Sequence, residues 1–241
     1  MIIDFHVHGK ITSSYPFDKE KFLLTIDEAR EGGLDSIALT EHCHAHNFLE
    51  GYEFLNKNYE LIDDYYNING FKVFYGMEVT TIQELDIVIV GNPTSIINLR
   101  EKIIKNLNNQ EFIDINQLFD FIDSEELLVI LAHPFRKHSE FPKIQSSIFS
   151  KIDATEFNAT DLYRNGIKLM QEKVLKLANR FNLPIVCGSD THYFIQMACI
   201  KNIFDKNCTT VKQIKEEIRL RNYKVELSPD LKIRIKSARI I

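Results

Sequence analysis

The sequence predicts an α/β fold in which a parallel sheet is covered by helices. Two observations carry this expectation. Short apolar runs rich in β-branched and aromatic residues alternate along the chain with segments of helical periodicity. Those runs are nearly continuous in apolar character, as strands buried on both faces are. The chain has 241 residues, 44% of them apolar and 26% charged. That suits one ordinary globular α/β domain. An open doubly wound sheet and a closed barrel both satisfy the pattern.

The elements follow in order. Residues 1–7, "MIIDFHV", read as a strand. In residues 17–33, Phe22, Leu23, Ile26 and Ala29 recur at helical spacing, Asp18 can cap the start and Gly32-Gly33 ends it. "LDSIALT" at 34–40 is the next strand, and a helix covers much of 50–68. Strands follow at 71–79 ("FKVFYGMEV") and 85–91 ("LDIVIVG"). Helices fit 95–107 and 115–124. Residues 127–133, "LLVILAH", and 151–159, "KIDATEFNA", read as extended. A helix over 161–181 leads to the strand "LPIVCGS" at 183–189. The remainder offers "IKNIF" at 200–204, a helix near 209–221 opening at Thr209 or Thr210, and "YKVEL" at 223–227. The last stretch, "LKIRIKSARII", carries Lys232, Arg234, Lys236 and Arg239 and reads as an exposed strand or tail. No short repeat and no low-complexity linker interrupts the chain.

Net charge is −5 with a pI near 5.9, which argues against a large nucleic-acid footprint. Cysteines 43, 187, 199 and 208 are scattered, the pattern of a reduced intracellular protein. The sequence enters a strand at once, without the basic and apolar regions of a signal peptide. No window reaches the roughly 18 apolar residues of a membrane span. A cytoplasmic protein without a membrane partner is expected.

The informative feature is where the ionisable residues fall. His6 and His8 lie at the end of the first strand, on one face because residues i and i+2 share a face. Glu41 and His42 follow "IALT", Glu78 follows "FYGM", His133 follows "VILA", Glu156 and Asn158 lie at "DATEF", and Asp190 and His192 follow "IVCGS". Each alone has a structural reading as a loop, turn or cap residue. Together they form an ordered series in which strand after strand ends in metal-type ligands. In a parallel barrel those ends meet on the face that carries the chemistry.

Imidazoles with carboxylates, and no thiolate, suit Zn²⁺, Mn²⁺ or Fe²⁺. Six or more ligands exceed what one catalytic ion takes, so at least two ions are expected. A carboxylate such as Glu78 can bridge them.

The motifs "HVH", "ALTEH", "GME", "AHP" and "GSDTH", in this order, resemble the PHP superfamily, the polymerase and histidinol phosphatase family, over roughly residues 1–195. The resemblance implies a distorted (β/α)7 TIM-like barrel over residues 1–241, with 196–241 completing the domain. Its metal site would lie at the C-terminal ends of the strands. It implies metal-dependent hydrolysis of a small phosphorylated molecule by an activated hydroxide. His6, His8, Glu78 and Asp190 would hold one ion, Glu78 and His133 a second, and His42 and His192 a third group. Asp190, His42 and His192 would be catalytic, with His192 or His42 protonating the leaving oxygen. Arg136, in "HPFR", would grip a phosphate, with a surface arginine as the competing reading.

Two departures stand out. After His8, where the family often carries a His or Asp, "GKITSSYPFD" offers Lys10, hydroxyls and then Asp18. The strand after Glu78, where many members carry a His, is apolar except for Asp86. Two ions are therefore expected, with a third dependent on substitutes such as His44, His46 or His138. Histidinol phosphate is one candidate substrate. The rival functions are an amide or lactone hydrolase of related barrel type and a non-catalytic PHP-type regulatory domain.

Overall fold

The computed structural model describes residues 1–9, 14–107, 110–122 and 125–240, and among these the strands join one sheet. They are β1 (Ile2–Val7), β2 (Ser36–His42), β3 (Glu60–Ile62), β4 (Tyr65–Ile68), β5 (Phe71–Thr80), β6 (Asp86–Gly91), β7 (Leu128–Ala132), β8 (Ala154–Asn158), β9 (Ile185–Gly188), β10 (Ile200–Phe204) and β11 (Tyr223–Leu227). The order is β11-β10-β1-β2-β5-β6-β7-β8-β9, with β4 laid against β5 and β3 against β4. β1, β2 and β5 run parallel, as do β7, β8 and β9.

The sheet curls until its ends meet, giving a nearly closed, distorted TIM-like barrel. Past the end of β9, Thr191 bridges Val7, the His8 N–H donates to Thr191 O at 2.8 Å, and the Asp190 N–H donates to His6 O at 2.8 Å. Further down the seam, the buried Asn202 of β10 stands in for strand pairing. Its Oδ1 accepts from Cys187 N–H at 2.8 Å, and its Nδ2 donates to Cys187 O at 2.8 Å and Ile3 O at 3.0 Å.

The expected parallel sheet is corrected at two places. β6 runs antiparallel to both β5 and β7, and β10 and β11 are antiparallel additions beside β1. Residues 81–85 are too few for the crossover that a parallel neighbour requires, so the chain turns back as a hairpin. The start of β6, not its end, therefore reaches the rim where the parallel strands finish.

Helices α1 (Lys19–Glu31), α2 (Leu49–Asn58), α3 (Pro93–Lys105), α4 (Ile115–Phe121), α5 (Ala159–Asn165), α6 (Ile167–Phe181), α7 (Val211–Leu220) and α8 (Leu231–Ala238) pack around the sheet. Asp18 caps α1 through hydrogen bonds from the Glu20 and Lys21 N–H groups, as the sequence suggests. The helix expected over 50–68 stops at Asn58. Tyr65 and Tyr66 favour a strand and pair with β5, and the turn before them is made by Asp63 at φ 50°. The helix expected over 161–181 breaks at Gly166, whose φ of 94° suits glycine. Residues 123–124, at the end of the helix expected over 115–124, lie outside the described residues. The basic tail is corrected from strand to helix: in α8, Leu231, Ile235 and Ala238 are buried. Leu231 and Ile235 pack with Leu162 and Met170 of α5 and α6.

Strand parity sorts the core. Ala38, Phe74, Val88, Ile130, Ala154 and Val186 form one buried cluster inside the barrel, closed at the far end by Val211, Ile214 and Ile218 of α7. Stepping by twos along the same face leads to His42, Glu78, Asp86 and Glu156 at the rim. The opposite faces of the strands pack beneath the helices. Among the described residues, no helix is long and apolar enough to cross a membrane.

Candidate metal centre

Residues from six strand ends converge on the rim. On β1, His6 Nε2 and His8 Nε2 lie 3.2 Å apart. Asp190 Oδ1 is 3.2 Å from His8 Nε2 and 3.7 Å from His6 Nε2. Glu78 Oε2 faces the same two nitrogens at 3.6 Å and 3.5 Å and His42 Nδ1 at 3.0 Å. The other oxygen of that carboxylate, Oε1, accepts from His133 Nε2 at 2.9 Å. His133 Nδ1 lies 3.6 Å from Asp86 Oδ2. Glu78 thus turns one oxygen to each of two donor groups.

The donor atoms fit divalent cations. His6, His8 and Asp190 have their ligand atoms within 4.8 Å of one another, as do Glu78, Asp86 and His133, and His8, His42 and His192. Spacings of 3.2–3.7 Å match the edge of about 3.4 Å that a tetrahedron needs around zinc bonded at about 2.1 Å. Among the described residues, Asp86 Oδ1 is buried without a hydrogen-bond partner. Leaving such a group unpaired costs about 1–3 kcal/mol, which coordination would relieve.

Second contacts orient the imidazoles. Glu156 Oε1 accepts from His6 Nδ1 at 2.9 Å, leaving Nε2 free to face the centre. Its Oε2 accepts from the backbone N–H of His133 at 3.0 Å and from Asn158 Nδ2 at 3.1 Å. His133 and Asp190 hold φ angles of 23° and 56°, an unfavourable region for such residues. The bonds to Glu156 and to His6 O fix both in place.

Electrostatics follow from the crowding. Burial disfavours the charged form of His6, but the carboxylates of Glu156, Glu78 and Asp190 outweigh it and hold the imidazole well above its ordinary pKa. Against the same burial, hydrogen bonds to Asp190 and Glu41 push His8 up to about 9. Burial also works against ionised Asp190, yet the Arg136 and His6 charges carry it well below the carboxylate range. The carboxylates demand positive charge, which a divalent cation supplies with neutral imidazoles as ligands. His192 goes the other way. Burial, with the His8 charge, drops it to about 4. Its Nδ1 donates to the Asp190 carbonyl at 3.1 Å, so Nε2 keeps its lone pair.

Of the residues singled out in the sequence, His6, His8, His42, Glu78, His133, Asp190 and His192 lie together at the rim. Arg136 adjoins them, with its Nη1 2.6 Å from Asp190 Oδ2, Nη2 2.9 Å from Asn158 Oδ1 and Nε 3.0 Å from Asp161 Oδ1. His44 packs against Phe112, His46 is exposed and His138 bonds Gln83 O. None of the three joins a ligand group among the described residues. Residues 10–13, where the first departure begins, lie outside the described residues. Asp86, the polar exception in an otherwise apolar strand, stands beside Glu78 and His133. The reversed direction of β6 brings it there.

No family model matches the sequence, and neither does any curated protein. Solved structures do match in fold. PsfC from Pseudomonas syringae PB-5123 superposes with a TM-score of 0.76 at 16% identity, over 99% of this chain and 96% of that one. The lesion-specific endonuclease PfuEndoQ from Pyrococcus furiosus gives 0.65 at 18% identity, over 93% of this chain and 58% of its own. Endonuclease Q in complex with a 27-mer duplex substrate, an abasic lesion at its active site, gives 0.61 at 17% identity, over 91% and 57%. This last complex overturns the expectation that nucleic acid is an unlikely partner. That neighbour holds a duplex substrate with an abasic lesion at its active site. Net charge averages over the whole surface and does not report the field at the rim, where Arg136 and Arg164 line one cavity with Asp190.

Proposed function

We propose that this chain is a metal-dependent phosphoesterase whose cations are held on either side of Glu78. The observation that carries the reading is the divided use of that carboxylate, with Oε2 turned to His6, His8 and His42 and Oε1 to His133. His6, His8, Glu78 and Asp190 would hold one Zn²⁺, Mn²⁺ or Fe²⁺ ion, and Glu78, Asp86 and His133 a second. Bound there, the cations would supply Lewis acidity that sharpens water as a nucleophile and offsets charge on the phosphoryl oxygens.

The chain's own residues do the rest. Glu156 fixes the tautomer of His6. Three of the five N–H groups of Arg136 are committed to Asp190, Asn158 and Asp161, so two remain for a phosphate oxygen. His192, held neutral, serves as an acceptor or ligand. Protonation of the leaving oxygen falls to His42, whose side chain is 24% exposed. The fold shared with PsfC and endonuclease Q supports the reading without fixing the ester. Histidinol phosphate, other monoesters and phosphodiesters belong in one substrate panel.

Chelation is expected to abolish turnover of an aryl phosphate, and added Zn²⁺ or Mn²⁺ to restore it. In the same samples, cation at a hundred times its Kd is expected to raise stability by about 2.7 kcal/mol, roughly 5–10 °C in Tm. A protein that takes up no metal and turns over no phosphoester would refute the reading. Asp86→Asn is expected to weaken the second ion about 10- to 100-fold with the fold intact, as read by metal titration and circular dichroism. Unchanged affinity would remove Asp86 from the ligand set.

A further inference from the structure

A cavity of about 370 Å³ opens beside the candidate metal centre. That volume is within the roughly 300–1,000 Å³ of small-ligand sites. Asp190 and His192 line it together with Arg136, Arg164 and Arg239. The cavity thus sets three arginines against one carboxylate, in a chain whose net charge is −5. The arginines differ in their commitments. Arg136 is tied to Asp190, Asp161 and Asn158. Arg164 and Arg239 are exposed, and neither has an ion pair or side-chain hydrogen bond among the described residues. They come from separate elements, Arg164 from the last turn of α5 and Arg239 from the cap of α8. α8 also contributes Ile235 and Ala238 to the wall.

A single phosphate at the metal centre does not need this pair, since the cations and Arg136 already meet its charge. We propose that the substrate carries a second anionic group beside the scissile phosphate, and that Arg164 and Arg239 receive it. The inference rests on the phosphoesterase reading and names the class of ester. Guanidinium groups suit this task because they pair bidentately with phosphate or carboxylate. The second anion has two sources, another phosphate on a small molecule or the neighbouring phosphate of a nucleic-acid strand. α8, the segment read from sequence as an exposed strand or tail, then becomes part of the substrate pocket.

The test compares the metal-loaded chain with Arg164→Gln, Arg239→Gln and the double variant. The substrates are an aryl monophosphate, a nucleoside 3′,5′-bisphosphate and a short single-stranded oligonucleotide. The wild type is expected to favour the bisphosphate or the oligonucleotide in kcat/KM, and whichever is favoured identifies the source. Each single variant is expected to lower that preference about 10-fold, mainly through KM, and the double variant further. A wild type without preference, or a double variant that keeps it, overturns the proposal. If no phosphoester is turned over, the phosphoesterase reading fails separately. Calorimetric binding of pyrophosphate to the metal-free chain then decides: about 10-fold weaker binding by the double variant supports the subsite, and equal binding overturns it.

Discussion

Glu78→Gln is expected to lower phosphoester turnover by at least about 10³-fold, and to remove at least one bound cation per chain. The amide keeps the volume of the side chain, so the substitution changes charge without opening a cavity. What it removes is the anionic oxygen on one side of a shared contact. Glu78 is buried, and burial alone would favour its neutral form. The His6 charge and the hydrogen bond from His133 instead hold its pKa well below the carboxylate range. An amide can turn its single oxygen to only one of the two donor groups, and presents to the other an NH₂ that does not ligate a cation. Elemental analysis of the purified variant and steady-state hydrolysis of an aryl phosphate check both halves. Full metal content with wild-type turnover would end the two-cation reading.

Gly188→Ala is expected to damage both stability and the site. A Cβ at this position would sit 2.0 Å from Glu156 Oε1 and 2.4 Å from His6 Cβ. The backbone of β1 cannot retreat, since the seam pairs it with residues 190 and 191. Glu156 must therefore swing away, leaving His6 Nδ1 and the His133 N–H without their acceptor. Overpacking and lost hydrogen bonds together are expected to cost about 3 kcal/mol, roughly 6–12 °C in Tm. Cation affinity is expected to fall about 10- to 100-fold as His6 loses its orienting carboxylate. Gly91→Ala is the control. It crowds Leu127 Cδ2 at 2.4 Å, far from the centre, so it should lower Tm and leave cation affinity alone. Equal loss of affinity in both variants would mean that Gly188 acts only through general stability.

Much of this arrangement is legible in the sequence because parallel strands bring their ends to one rim. His6 and His8, Glu78, His133 and Asp190 each follow an apolar run, and period-two alternation is enough to align them. Asp86 was beyond that logic. It begins its strand, and only knowledge that β6 runs backwards turns a beginning into a rim position. The clue was available in the five-residue link before it, too short for a parallel crossover. The β3–β4 hairpin was misread as helix because residues 50–58 are helical and the two tyrosines gain their strand partners only from β5, a tertiary contact. α8 was misread because alternating charge in "LKIRIKS" imitates a strand, whereas Leu231 and Ile235 are four apart and share a helical face that α5 and α6 cover. The strained backbone at His133 and Asp190 leaves no trace in residue type.

The seam between β1 and β9 separates the two halves of the centre by their order of assembly. Glu78, Asp86 and His133 arrive through a tight hairpin and its next neighbour, so a nascent half-barrel can shape that side early. The other side draws on His6 and His8 from the beginning of the chain and on Asp190 from near its end. It exists only once the seam has zipped. A cation held by His6, His8 and Asp190 would tie the two margins of the barrel together, and its removal is expected to loosen the bridge between Val7 and Thr191 first.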